Sequence, residues 1–300
     1  LDLSASSGIL TVLLKLKKQG YRESTLSGMD KALRQISREC SLNDPEDVLR
    51  YVANRNCSEA RKEVLCNAYQ NYSRIHNIIF GKPRYEKTAK IPFIPLESDI
   101  DSIISAVPFR TSVFLQTLRE TGARAGEIWE LEIRDIDFDK CIIYINSPEK
   151  RSNPRAVRVS KRLINMVQKL YSKSENNKVF QLRSDSLRSF TRIFERQRRQ
   201  TSIKLQNPKL LQISFKTLRH FKGTMEYFKT RDILHVKTIL GHKSITNTLK
   251  YIHLVELLFD KSDEYTCRVA KTIEEASGLV ECGFEYVCEI EGAKLFKKRR

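Results

Sequence analysis

ISFKTLRHFKGTMEYFKTRDILHVKTILGHKSITNTLKYIHL occupies residues 213–254 and sets Lys216, Arg219, His220, His242 and Tyr251 on a run of short helical patterns. Side chains of these types can surround a phosphodiester with cations and bring one tyrosine up to it. The rest of the chain is organised around this stretch.

A length of 300 residues suits two modest domains better than one. A formal net charge of +18 and a pI near 9.6 call for a polyanionic partner, with nucleic acid the default. Lysine and arginine run through the whole chain with acids among them, so this is a folded basic protein and not a globular domain with a basic tail. Charge alone leaves open a generally basic protein with no such partner. The seven cysteines, Cys40, Cys57, Cys66, Cys141, Cys267, Cys282 and Cys288, contain no C-x-x-C pair and no histidine cluster at metal-ligand spacing. They read as reduced core thiols of an intracellular protein, and neither a metal nor a cofactor is expected. No apolar run is long enough for a bilayer and no basic-then-apolar leader precedes the fold, so the expectation is a cytoplasmic, DNA-associated protein without a membrane partner. The chain opens on Leu1 instead of Met, as a chain trimmed at its N-terminus does.

The fold class predicted is mainly α with a small antiparallel β-sheet, an α+β chain. Residues 1–84 read as four helices without strand signals. Residues 9–16 carry apolar side chains at helical spacing, and a second helix starts at the cap candidates Ser24 and Thr25, with Leu26, Met29, Leu33 and Ile36 as its buried stripe. Lys31, Arg34 and Arg38 lie on other faces, where phosphates could meet them. Asp44-Pro45-Glu46 opens a third helix with a cap, a proline at the first helical position and an acid in the first turn. A fourth spans 58 to about 79. These residues by themselves support a DNA clamp and a helical packing module equally. The polar run 81–87, with Gly81 and Pro83, reads as a linker that Pro92 and Pro95 extend.

Residues 85–259 form the second predicted domain. Helices over 96–107 and 112–120 lead to Thr121-Gly122-Ala123-Arg124-Ala125-Gly126-Glu127-Ile128, where glycine permits a turn into the next helix. Arg124 near that helix start is either a bidentate phosphate donor or a surface arginine on a joining turn. Residues 135–139 read as a turn, 141–145 as a strand, and 156–159 as its partner across a basic loop carrying Lys150. A lysine there can swing into a cleft or stay solvated. From Asp185 to about Lys204 a helix shows Leu187, Phe190, Ile193 and Phe194 on one side and Arg188, Arg192, Arg196 and Arg199 along another. Arginines gathered on one stripe repel one another unless DNA lies opposite, and DNA contact is the expectation.

Taken in order, the Arg124 box, the hairpin Lys150, Lys216-Thr-Leu-Arg219-His220, Leu240-Gly241-His242 and Tyr251 with His253 resemble the boxes of the tyrosine recombinases, the lambda-integrase-type site-specific recombinases. The resemblance is firm over residues 92–255 and looser over the N-terminal part, which resembles the family's core-binding domain. It implies an enzyme in which Tyr251 attacks the scissile phosphate, Arg124 and Arg219 clamp the non-bridging oxygens, His242 adds a hydrogen bond and Lys150 protonates the departing 5′-hydroxyl, with no metal. It also implies double-stranded DNA attachment sites as partners and a homo-oligomer, four protomers in the synapse, for integration or excision of a mobile element.

One position departs from the family pattern. Lys216 stands where a histidine is usual, a feature shared with some integrases of archaeal viruses and plasmids, whose tail also resembles the helix and 284–296 hairpin of this chain. A lysine is normally charged, so Lys216 is expected to stabilise phosphate charge and to leave proton acceptance to another group or to solvent. His220 is either that group or, with greater weight, a helix-packing residue. No catalytic role is expected for His76 or His235. Residues 260–300 form a tail that either docks on a neighbouring protomer or caps its own. A DNA-binding relic of the same fold and a type IB topoisomerase are the competing functions, and a resting Tyr251 withdrawn from Arg124 and Arg219 is compatible with the resemblance.

Overall fold

Leu26, Leu33 and Ile36 recur at helical spacing along α2 (Glu23–Ile36) and all three are buried. They meet Ile9, Val12 and Leu16 of α1 (Leu3–Lys18), Val48 and Val52 of α3 (Pro45–Asn54), and Leu65, Cys66, Tyr69 and Tyr72 of α4 (Glu59–Ile75) in one core. The structure, a computed structural model, describes residues 3–86, 90–172, 177–181, 186–259, 265–290 and 292–299. The predicted segment ends at Lys87, Asp185, Asp260 and Arg300 lie outside them. The chain divides into two compact units, Leu1–Lys90 and Ile91–Arg300.

In the first unit the Asp44 carboxylate accepts the N–H groups of Glu46 at 3.0 Å and Asp47 at 3.3 Å, so α3 begins where its cap and proline place it. Two helix ends differ from the sequence expectation. Helix α2 starts at Glu23 behind Arg22, which makes no side-chain cap bond, and Ser24 and Thr25 lie inside its first turn. Helix α4 stops at Ile75, because Asn77 turns left-handed with φ 57° and the Ile78 N–H returns to the Ser73 carbonyl at 2.8 Å.

The second unit runs α5 (Glu97–Ala106), α6 (Phe109–Thr121), α7 (Ala125–Trp129), β1 (Ile136–Asp137), β2 (Ile142–Ile145), β3 (Arg155–Arg158), α8 (Lys161–Tyr171), α9 (Leu187–Lys204), α10 (Phe215–Thr230), α11 (Ile233–Leu240) and α12 (Thr246–Leu258). Strands β1, β2 and β3 form an antiparallel sheet in that order, with Ile143 opposite Val157 and both buried. The sequence reading of 135–139 as a turn missed β1. Two residues are too short to show alternation, and only pairing with β2 defines that strand.

The core is aromatic at its centre. The Phe114 ring of α6 stands edge-on to Phe180 and Phe190 at 5.0 Å and to Phe215 at 5.1 Å, which ties α6, α9 and α10 together. Helix α10 in turn packs on both α6 and α12. Gly122 ends α6 in the left-handed region, and a Cβ there would meet Lys222 and Leu240 side-chain atoms at 2.9 Å, so glycine is needed for conformation and for space.

Past α12, β4 (Tyr265–Ala270), α13 (Ile273–Glu281), β5 (Glu285–Ile290) and β6 (Ala293–Arg299) make a sheet ordered β4-β6-β5. The expected helix and hairpin are α13 and β5–β6; β4 adds a strand along the other edge of β6, which the sequence reading did not anticipate. The core-thiol reading needs correction too. Of the seven cysteines only Cys66 is buried, and Cys267 and Cys282 are exposed. No helix among the described residues is long and apolar enough to cross a membrane.

Phe114→Ala removes the ring on which the aromatic cluster converges and should cost about 3–5 kcal/mol. Urea unfolding followed by the single tryptophan, Trp129, reports on this unit directly; a midpoint equal to the parent's refutes the assignment.

Candidate active site

Arg124 is the N-cap residue of α7, in extended conformation. Its N–H donates to Glu127 Oε2 at 2.9 Å, and its guanidinium donates to Glu127 Oε1 at 3.1 Å, to the Glu149 carbonyl at 3.3 Å and to the Ser152 hydroxyl. The fully buried Glu127 carboxylate also accepts Arg155 Nη2 at 2.6 Å and the Glu149 N–H at 3.2 Å. Burial alone pushes this carboxyl up, but the Arg155 hydrogen bond and charge, the Arg124 N–H and the Arg219 charge outweigh it and hold the group below its ordinary value. Gly126 makes room for the loop across from it, since a Cβ there would stand 1.9 Å from Glu149 Oε1.

Helix α10 supplies the next cations. Ser214 caps it, accepting the Thr217 N–H at 3.3 Å, and leaves Lys216 exposed in the first turn. Arg219 is buried and donates to the Gly122 and Leu240 carbonyls, both at 2.6 Å. Those oxygens lie at the C-terminal ends of α6 and α11, where carbonyls lack helical partners, so the guanidinium plane is fixed by the two helix ends. Burial, with repulsion from Arg124 and Arg155, lowers Arg219 to about 10, which leaves it cationic at neutral pH.

Gly241 closes α11 with φ 68°, and its carbonyl accepts the Asn153 N–H at 3.0 Å, joining the β2–β3 loop to the His242 turn. His242 is buried, with Nδ1 2.9 Å from Thr248 Oγ1. Burial and the charges of Arg219, Lys250, Arg124 and Arg155 push it down to about 3, so the imidazole is neutral at pH 7. Lys150 sits exposed in the same loop with φ 51°, a left-handed conformation uncommon for a non-glycine residue.

Tyr251 is fully buried on α12. Its ring lies on Gly223 of α10, where a Cβ would stand 2.6–2.9 Å from ring carbons, and its hydroxyl is 3.3 Å from His220 Nδ1. Burial raises the phenol to about 12 against the opposing charges of Arg219 and Arg124. Lys250 Nζ stands 5.2 Å from the ring centroid.

Arg124, Lys150, Lys216, Arg219, His242 and Tyr251 thus line one cleft of about 600 Å³. Tyr251 lines that cleft together with Arg124 and Arg219. Arg188, Arg192, Arg196 and Arg199 stand elsewhere, exposed on the side of α9 opposite the buried Phe190 and Phe194, and only Leu187 of this helix reaches the cleft wall. Glu195 is also exposed on the outer side of α9, so an acid lies among these arginines. Glu127, Arg155 and Lys250 went unassigned in the sequence. Glu127 had a signal, a carboxylate three residues past a cap position. Arg155 had none, since its partner is distant in the chain. Among the described residues no cluster of three or more histidine, cysteine, aspartate or glutamate side chains could hold a metal.

The Glu127 pairing has a pH signature. Its folded pKa lies below the ordinary 4.5, so its stabilisation is fully present above pH 4.5 and is lost as pH falls below that through the folded value. Glu127→Gln leaves Arg155 a buried charge without its counter-ion and should destabilise by about 3–5 kcal/mol at pH 7. Guanidinium unfolding at pH 7 and pH 3 checks it: the gap between parent and variant narrows at the lower pH, and a constant gap refutes the pairing.

The sequence profile of the phage integrase family matches residues 96–256. A tyrosine recombinase, XerA of Saccharolobus solfataricus, is 28% identical over 171 residues, which cover 56% of this chain and 54% of that protein. The match therefore spans about half the length of that relative. Among solved structures, the lambda integrase(75-356) dimer bound to a COC′ core site superposes with a TM-score of 0.66 at 16% identity, over 85% of this chain and 98% of the other. The Tn1549 transposon integrase in complex with transposon right end DNA gives 0.63 at 15% identity, over 91% and 98%. The lambda integrase tetramer bound to a Holliday junction gives 0.63 at 15% identity, over 82% and 76%. With the ordered boxes meeting in one cleft and the family profile covering more than half of the sequence, the chain belongs to the phage integrase family of tyrosine recombinases.

Proposed function

We propose that the chain is a site-specific DNA recombinase that cleaves and rejoins its attachment sites through a covalent 3′-phosphotyrosine at Tyr251. The observation that carries this reading is Tyr251 lining a cleft together with Arg124, Lys150, Lys216, Arg219, His242 and Lys250. In-line attack builds charge on the non-bridging oxygens, and donors fixed beforehand stabilise it most. Arg219, held by two carbonyls, and Arg124, held by Glu127, clamp those oxygens, and His242 adds a hydrogen bond. Tyr251 Oη bonds to phosphorus, the bond from phosphorus to the 5′-oxygen breaks, and Lys150 gives that oxygen its proton; the reverse steps rejoin the strand. Lys216 neutralises phosphate charge. The cations supply the stabilisation that a metal supplies elsewhere, so the reaction proposed is metal-independent.

Residues 1–84 then act as the DNA clamp, 85–259 as the catalytic domain, and the tail 260–300 as a contact between protomers, of which four assemble on two duplexes. The lambda integrase assembly on a Holliday junction supports that number by analogy. The lysine in the second box and an archaeal relative favour a mobile element of an archaeal virus or plasmid.

A nicked suicide DNA carrying the attachment site should give an SDS-resistant adduct with the parent in the presence of EDTA, and none with Tyr251→Phe. Lys216→Ala should slow adduct formation about 10²-fold; a rate equal to the parent's refutes its role.

Charge removal on α9 should read differently. Each of Arg188→Gln, Arg192→Gln, Arg196→Gln and Arg199→Gln should weaken binding to all duplexes alike and lower the slope of log K against log salt by about 1. An unchanged slope removes that arginine from the DNA contact.

A further inference from the structure

We infer that His220 takes the proton of the Tyr251 hydroxyl as that oxygen attacks phosphorus, and that it does so only while a DNA phosphate occupies the cleft beside Arg219, Lys216 and Lys250. This rests on the recombinase reading of the same cleft and supplies the acceptor which that reading leaves unnamed.

Helix α10 places the two parts of the device one turn apart. Gly223 lacks the Cβ that would strike the Tyr251 ring at 2.6 Å, and His220 then meets the hydroxyl with Nδ1 at 3.3 Å. Among the described residues this is the hydroxyl's one hydrogen-bond partner. Two other acceptors around the cleft have partners of their own. Glu127 is taken up by Arg124, Arg155 and the Glu149 N–H, and His242 Nδ1 by Thr248. Lys216 brings an ammonium, which donates three hydrogens and accepts none.

The groups facing His220 are Lys216 and Arg219 of its own helix and Lys250 and Tyr251 of α12. Burial first, then the charges of Lys250, Lys216 and Arg219, push the imidazole down to about 3, while burial holds the phenol up at about 12. Without a bound phosphate the imidazole is therefore neutral, with a lone pair to accept, yet transfer is strongly uphill and the tyrosine stays inert. A phosphate between the three cations cancels their repulsion of the imidazolium and raises its basicity. Oη bonds to phosphorus as its proton passes to Nδ1, so no free phenolate forms; on rejoining, the imidazolium returns the proton to the departing tyrosine oxygen.

Single-turnover adduct formation on suicide DNA, followed from pH 5 to pH 9 for the parent, His220→Ala and His220→Gln, tests the inference. The expected result is a loss of about 10²-fold or more in both variants, together with disappearance of the parent's rise of rate with pH. A His220→Gln rate near the parent's, or slow variants that keep the parent's pH profile, overturns it, because a hydrogen-bonding or packing role then suffices. A second measurement is independent of variant folding at His220: ¹⁵N-histidine NMR titration of full-length Tyr251→Phe with and without the uncleaved duplex. A rise of the His220 pKa on DNA binding is expected, and an unchanged value overturns the gating. A parent that forms no adduct overturns the recombinase reading itself and the inference with it; an active parent with an equally active His220→Gln overturns only the inference.

Discussion

One buried carboxylate makes the cleft possible. Arg124, Arg155 and Arg219 all contribute to its electrostatics, and cations brought together out of water repel one another and lose hydration. Glu127 binds the first two directly and its charge acts on the third. It also accepts the Glu149 N–H, so the same group holds the loop that carries Lys150. The carbonyls of Gly122 and Leu240 complete the arrangement at Arg219. The positive field that would attract a phosphate is thereby set before any phosphate arrives, which is what preorganised electrostatic catalysis requires.

Cationic charge lowers both Tyr251 and His220, whereas burial acts on the two groups in opposite directions. The charges of Arg219 and Arg124 favour a phenolate at Tyr251, but burial wins and the phenol is raised. At His220 burial and the surrounding cations act together, and the imidazole is lowered. The result is a phenol that stays protonated with a neutral imidazole nitrogen 3.3 Å from its hydroxyl. A phosphate in the cleft would offset the cationic charge that, together with burial, lowers His220.

Away from the cleft, the outer side of α9 presents Arg188, Arg192, Arg196 and Arg199, with Glu195 among them. Exposed charges of this kind give a long-range, salt-screened attraction, in contrast with the dry, fixed arginines of the cleft. Part of the net charge of +18 thus lies on an exposed, salt-screened helix face and part lines the cleft.

The sequence by itself determined the helical character of the first unit, the cap at Asp44, the β2–β3 hairpin and the order of Arg124, Lys150, Lys216, Arg219, His242 and Tyr251. Each of these depends on local chemistry: apolar spacing, capping side chains, a glycine at a left-handed position, or a box of adjacent residues. Strand β1, strand β4 and the end of α4 escaped because pairing partners or a single left-handed residue decide them. Only the tertiary structure decided the partners of Glu127, the seat of Tyr251 on Gly223 and its contact with His220. Those depend on Arg155 meeting a residue 28 positions away and on α12 lying against α10, with Tyr251 31 positions from His220, and no local pattern encodes contacts over such separations. Local sequence chemistry specifies which groups are available, and burial by distant segments decides which of them are charged and which of them touch.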